Sequence, residues 1–376
     1  VIFYIIIIIA LAVPGVVLAH SRVMAWCMSI LIFLISALRY DVGWDYETYF
    51  LWARHGLDPY IELTMEPLSK KLLQLALATD EPQLFFVLSS FVVVLLFCHS
   101  YISSSKLPVL SIFTFFCFPL LFFTTLGIVR QSMAGAVVFF ALTVLQSRIL
   151  TSLCIVVAGL LHYSAWVVLI IIPFLRLMDR PLPMYWYAFA LVGGPLALPI
   201  LVGFLEPYLP IYSIYFQREI NNGHKLMIFY QLLAMFLLWL RQLGASFPPR
   251  QFNFFMLGVT LFGSLGAINE VLGRIAYYFL PFVALLVPAG MMSMRPIMIV
   301  RVGALIVLGL LCIVQLYVAS QDPQKDPYGP YQLYPGWFSV RLEEKSRLTN
   351  IDCLTANQPS RVGTDVDSIG FVIHAV

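Results

Sequence analysis

The stretch Arg39-Tyr40-Asp41-Val42-Gly43-Trp44-Asp45-Tyr46 sets two carboxylates, a cation and a permissive glycine side by side. Such a cluster can take a proton from a hydroxyl while the cation holds an anion; ordinary loop polarity with internal ion pairing is the plainer alternative. Arg130-Gln131 and Arg274 lie in otherwise apolar sequence, Arg274 shortly before Tyr277 and Tyr278. A guanidinium in such a run costs at least ~2.5 kcal/mol within a bilayer unless it is paired or reaches water. Snorkelling to the interface accounts for either arginine singly. Convergence on an anionic ligand accounts for both, because the guanidinium fork matches phosphate oxygens. His162, followed by Tyr163 and Ser164, stands between two apolar arms, as a hydrogen-bonded packing residue or as a base or phosphate ligand.

These residues need a scaffold, and composition says which kind. Of 376 residues, 61% are apolar, 15% aromatic and only 11% charged, with mean hydropathy +0.91. Soluble domains carry roughly 25% charged residues. A water-soluble globule is excluded, and long apolar runs in place of short alternating segments point to an all-α, polytopic membrane protein and not a barrel. A net charge of +3 from scattered cations gives no reason to expect nucleic acid as a partner. Cys27, Cys98, Cys117, Cys154 and Cys312 sit in apolar runs and Cys353 stands alone, which reads as packing and not as a disulfide or metal framework.

Apolar runs near 2–19, 22–38, 84–101, 108–126, 130–147, 184–203, 225–240, 252–269, 273–291 and 299–318 each suit a span. The first is read as a span and not as a removable signal. Residues 149–175 form two more if His162 is the apex of a tight hairpin, giving about twelve spans with both ends outside. One side then holds nine cations, namely Arg22, Lys106, Arg148, Arg176, Arg180, Arg241, Arg250, Arg295 and Arg301, against Asp179 alone. Ahead of residue 321, the other collects eleven acids and eight cations. Cation counts barely differ, so the orientation rests on the short, purely basic loops of the first side.

The acid-rich side carries three unusual segments. In 39–83, Glu66-Pro67-Leu68 opens an apolar stripe and predicts a short helix in the interface. In 206–225, Tyr208, Tyr212, Tyr215 and Phe216 alternate with Gln217, Arg218, Glu219, Asn221, Asn222 and His224, suited either to sugar rings or to an interfacial aromatic belt. In 321–338, Tyr328, Tyr331 and Tyr334 recur among prolines and predict an extended strand across the outer face. Residues 339–376 read as a polar, flexible tail, leaving 1–320 as the transmembrane helical domain. Nucleotide-binding and soluble-hydrolase motifs are missing, so a reaction here would use an already activated substrate. No cofactor is expected, and a divalent metal stays open because the carboxylates lack a compact ligand spacing.

In order and spacing, Arg39 to Tyr46, Glu66-Pro67-Leu68, Ile128 to Ala134, Leu161-His162-Tyr163-Ser164-Ala165, Arg274 with Tyr278, and Pro327-Tyr328 resemble the EpsG-like group of Wzy-type polysaccharide polymerases. The resemblance runs from about residue 1 to 338. It implies a bacterial inner-membrane glycosyltransferase of GT-C-like architecture that joins undecaprenyl-pyrophosphate-linked repeat units at the periplasmic face, building O-antigen, capsule or exopolysaccharide. Its partners would be those lipid-linked oligosaccharides, the bilayer and a chain-length regulator protein. On this reading Asp45 is the base, with Asp41 and His162 as further catalytic candidates. Arg130, Arg274, Arg39 and Gln131 take the pyrophosphate, and Tyr46, Glu66, Tyr215, Arg218, Tyr278 and Tyr328 hold the saccharide. A lipid-linked oligosaccharide flippase and an O-antigen ligase are the rival functions.

Overall fold

The computed structural model describes residues 2–205, 224–294, 296–321, 326–329 and 331–334. The loop aromatics of 206–223 and the expected tail lie outside them. Helices follow the apolar runs: α1 (Ile2–Val17), α2 (Arg22–Ala37), α6 (Gln83–Ser104), α9 (Val129–Val144) and α10 (Arg148–Leu161). Between α2 and α6 come α3 (Tyr46–His55), α4 (Pro59–Thr64) and α5 (Pro67–Ala78), and between α6 and α9 come α7 (Pro108–Cys117) and α8 (Phe122–Gly127). Polar residues punctuate the apolar sequence. Ser21 caps α2 by accepting the Met24 N–H at 3.1 Å, Ser147 caps α10, and prolines open α4, α5 and α7, where a missing N–H costs nothing.

Helix α6 runs through the middle, with α2 and α9 against it and α10 against α9. Of the most apolar window of α6, 61% is buried, against 22% for the helix Ile297–Ala319, which is therefore peripheral. Exposed Ile306, Leu310 and Val314 on that helix, with Ile2, Ile6, Ile9 and Val13 on α1, form apolar faces that a soluble protein rarely leaves open. Lipid covers such faces, and the chain is a helical membrane protein.

Among the described residues, two helices are long and apolar enough to cross a membrane, Gln83–Ser104 and Ile297–Ala319. Glu270–Tyr278 with Leu280–Met292 makes a third when the 47° bend between them is read as one broken span, and six further apolar helices are of 10–17 residues. The runs expected as single spans at 108–126 and 273–291 are both interrupted. In the first, Leu120 takes φ +61° after Pro119; in the second, 3₁₀ turns at Arg274–Tyr278 and Leu280–Phe282 precede Val283–Met292. Each break frees carbonyls inside the bundle, and a buried tyrosine meets one at each: Tyr230 Oη donates to Pro119 O at 2.6 Å and Tyr101 Oη to Pro281 O at 3.2 Å.

The chain reverses at His162, as the hairpin reading expects, between α10 and a 3₁₀ segment, Tyr163–Phe174. The helix predicted after Glu66 forms as α5, with Ser69, Leu73 and Ala76 buried along one face. Of the expected outer strand, the described part pairs antiparallel with β1 (Arg39–Tyr40): Arg39 lies opposite Leu333 and Tyr40 opposite Gln332 of β2 (Gln332–Leu333).

Candidate functional site

Five segments distant in sequence meet beside the α8–α9 junction. The loop 41–45 is seated first. Gly43, at φ +112°, donates its N–H to Pro327 O at 2.6 Å, and a Cβ there would stand 2.0 Å from the Leu126 carbonyl oxygen, so only glycine allows this approach. Trp44 lies against Gly127, where a Cβ would come 2.9 Å from the indole. The loop thus ends beside the α8–α9 junction, with Asp45 at the start of α3. Asp45 makes no capping bond with its side chain; its carboxylate instead feels Arg274 and Arg130.

Helix α3 carries Tyr49 to Arg130, whose Nε donates to Tyr49 Oη at 2.6 Å. Helix α5 brings Glu66 to the same guanidinium: Arg130 Nη1 donates to Glu66 Oε2 at 2.5 Å. The other Glu66 oxygen, Oε1, lies 2.8 Å from His162 Nδ1 and accepts the Tyr163 N–H at 3.2 Å. Ser69 donates to Leu161 O at 2.8 Å, fastening the first turn of α5 to the His162 reversal. On the far side Ser164 Oγ and Tyr278 Oη are 2.7 Å apart, and the Gln131 side chain donates to Arg274 O at 2.8 Å. A cavity lined by Thr124, Thr125, Gln131, Ser132, Tyr277 and Tyr278 among apolar side chains adjoins the cluster.

Electrostatics divides the two acids. Burial pushes the Asp45 carboxyl up from 3.8 to about 6, against the pull of Arg274 and then Arg130. Burial also works on Glu66, but the His162 hydrogen bond and the Arg130 charge outweigh it and hold that carboxyl at about 2. Glu66 is therefore a permanent anion at neutral pH, whereas Asp45 titrates close to it. Among the described residues no three His, Cys, Asp or Glu side chains gather as a metal site requires.

Of the sequence candidates, Arg130, Gln131, His162, Glu66, Tyr278, Asp45 and Arg274 come together. Four others are used inside the fold. Arg39 is 1% exposed; its Nε donates to Val42 O and its Nη1 to Ser36 O, Ser36 Oγ and Ser90 Oγ, with the guanidinium over Phe86. In the fold it ties the end of α2 to α6 and the loop, and burial lowers its pKa to about 10. Tyr46 is likewise buried, donating to Gln83 Oε1 at 2.8 Å and stacked on Phe86. Tyr328 is buried beside Phe123, its carbonyl accepting from Tyr4 Oη at 3.1 Å. Asp41 is buried in the loop at φ +52°. Tyr215 and Arg218 lie outside the described residues. Sequence reasoning missed Tyr49; its one signal was its place a helical turn after Asp45, on the face that also presents Tyr46 and Phe50 to the interior.

The fold and this cluster define a helical membrane protein with a charged, partly buried site at one end of its bundle. The model of the EpsG family matches residues 22–333, and the chain belongs to that family. Every described member of the cluster falls within the matched span. No curated protein and no solved structure matches the chain. Membership suggests a polysaccharide polymerase-type function, of glycosyltransferase character, in a membrane-embedded protein.

Proposed function

We propose that the protein is a polysaccharide polymerase that joins undecaprenyl-pyrophosphate-linked repeat units at the periplasmic face of the bacterial inner membrane. About twelve crossings of a GT-C-like scaffold, several of them short or broken, would carry it, with residues 39–83 and 206–225 as outer loops. The observation that supports the reading is one site in which two arginines, Arg130 bonded to Glu66 and Arg274 3.7 Å from Glu270, both act on Asp45 beside the His162 reversal.

In the reaction a sugar hydroxyl attacks the anomeric carbon of the donor chain. A new C–O bond forms, the bond to pyrophosphate breaks, and the leaving group departs with the electron pair while a base takes the hydroxyl proton. Arg130 suits the leaving group: Nε and Nη1 are held by Tyr49 and Glu66, while Nη2 has no partner among the described residues and the side chain keeps 26% of its surface open. Arg274, with 20% of its side chain open, supplies a second cation. Asp45 and His162 are the two bases within the site. Gln131, which donates to Arg274 O, would stand with the arginines at the pyrophosphate, and Tyr278 and the aromatics of 206–225 would hold the saccharide.

Deleting the gene in the source cell tests this reading. Single repeat units capped on the acceptor are the expected product, and the wild-type gene restores long chains. Free lipid-linked polymer would instead identify a ligase, and repeat units left on the cytoplasmic face a flippase.

A further inference from the structure

Glu66 is buried, ionised and surrounded by donors, and that arrangement decides which nitrogen of His162 is basic. A carboxylate only accepts hydrogen bonds. The 2.8 Å contact to Glu66 Oε1 therefore requires a proton on His162 Nδ1, and in the neutral ring Nε2 then carries the lone pair. Nε2 has no protein partner among the described residues, and 26% of the His162 side chain is open.

The residue is held at its backbone as well as at its ring. His162 is extended, at φ −157° and ψ 121°, immediately after α10; its N–H donates to Ala158 O at 2.8 Å and its carbonyl accepts from Ala165 N at 3.0 Å. Glu66 is fixed in turn by Pro67 at the head of α5, by the Ser69 bond to Leu161 O, and by the Tyr163 N–H on its own Oε1. Its second oxygen holds Arg130. One carboxylate thus sets the orientation of a base and of a phosphate-binding cation together.

We propose that Glu66 is a positioning residue that locks His162 in the Nδ1-protonated tautomer, presents Nε2 as the proton acceptor, and holds Arg130 against the leaving group. The assignment rests on the polymerase reading above. The acceptor hydroxyl gives its proton to Nε2 as its oxygen bonds to the anomeric carbon, and the pyrophosphate leaves with the electron pair of the broken bond. The imidazolium so formed stays beside the Glu66 carboxylate until it passes the proton to solvent. Glu66 changes the expected saccharide contact into a support for the base, and the proton goes to His162 in preference to Asp45.

The test uses full-length protein in nanodiscs with ¹⁵N-labelled histidine, the His162 signals being assigned by their loss in His162→Gln. Wild type should show a protonated Nδ1 and a bare Nε2, and Glu66→Gln, which offers an amide donor in place of an anion, should lose that preference. With a lipid-pyrophosphate-linked repeat unit, Glu66→Gln and His162→Gln should each lower kcat by roughly 10²- to 10⁴-fold. The double variant should be no slower than the worse single one, because the pair acts as a unit, and Glu66→Asp should recover part of the loss. A wild-type ring protonated on Nε2, or a double variant slowed by the product of the two single losses, overturns the proposal. The tautomer is read on wild type, so it stands even where Glu66→Gln does not fold. A wild type with the expected tautomer and no polymer would refute the polymerase reading and leave the Glu66 geometry intact.

Discussion

Asp45 is held in the fold at a cost that its own neutralisation should remove. Burial lifts its carboxyl from 3.8 to about 6 even after Arg274 and Arg130 have pulled it down. An acid whose folded pKa is raised stabilises the fold only where it is protonated: the contribution is complete below pH ~4, declines as pH rises through 6, and is gone above it. At ~1.36 kcal/mol for each tenfold change, the displacement is worth about 3 kcal/mol. Asp45 is half-buried, so solvent takes a part of that, and about 1–2 kcal/mol is the expected gain for Asp45→Asn at pH 7.5. The assay is apparent thermal unfolding of the purified protein in one detergent at a fixed scan rate, at pH 5 and pH 7.5. Asp45→Asn should unfold at a higher temperature than wild type at pH 7.5, and the wild-type difference between the two pH values should shrink. An Asn variant that is less stable at pH 7.5, with the pH difference unchanged, would refute the reasoning and make Asp45 an ion-pair partner of the two arginines.

Gly43→Ala should destabilise by at least about 1–3 kcal/mol, since an alanine at φ +112° is strained and its Cβ would meet the Leu126 carbonyl. Gly56→Ala, also at positive φ but with its nearest contact at 3.6 Å, should cost less, and equal losses in melting temperature would remove the docking argument. Arg39→Lys should cost about 1.5–3 kcal/mol, because one ammonium cannot span Ser36, Val42 and Ser90, while the KM of the folded enzyme for its lipid-linked unit stays as in wild type. A raised KM with unchanged melting would return Arg39 to the ligand.

Much of the scaffold was legible because apolar runs and their breakers act locally. Pro67 starts a helix where the sequence says it should, and the apolar runs at 2–19 and 22–38 form α1 and α2. The His162 reversal was readable from an apolar stretch too long for one span and too short for two. The breaks at 119–121 and 279–282 were less so: Pro119 and Pro281 signal them, but the tyrosines that satisfy the freed carbonyls, Tyr230 and Tyr101, lie 111 and 180 residues away. The same limit governs the site. Sequence marks Arg39 and Arg130 alike as cations beside apolar spans. Only the third dimension shows that Ser36 and Ser90 enclose the first while the second keeps a free edge. Glu66 was singled out for its place before a helix, yet its pairing with His162, 96 residues on, has no local signature.

The central claim, that Arg130 receives the pyrophosphate of a lipid-linked donor during chain growth, is tested most directly with purified protein. Wild type and Arg130→Ala would be incubated in nanodiscs with the lipid-pyrophosphate-linked repeat unit of the source organism, without nucleotide, and product length read by gel and mass spectrometry. The account predicts a ladder from wild type and none from Arg130→Ala. A ladder of unchanged length from Arg130→Ala, or no ladder from wild type while lipid-linked units cross proteoliposome membranes, would contradict it.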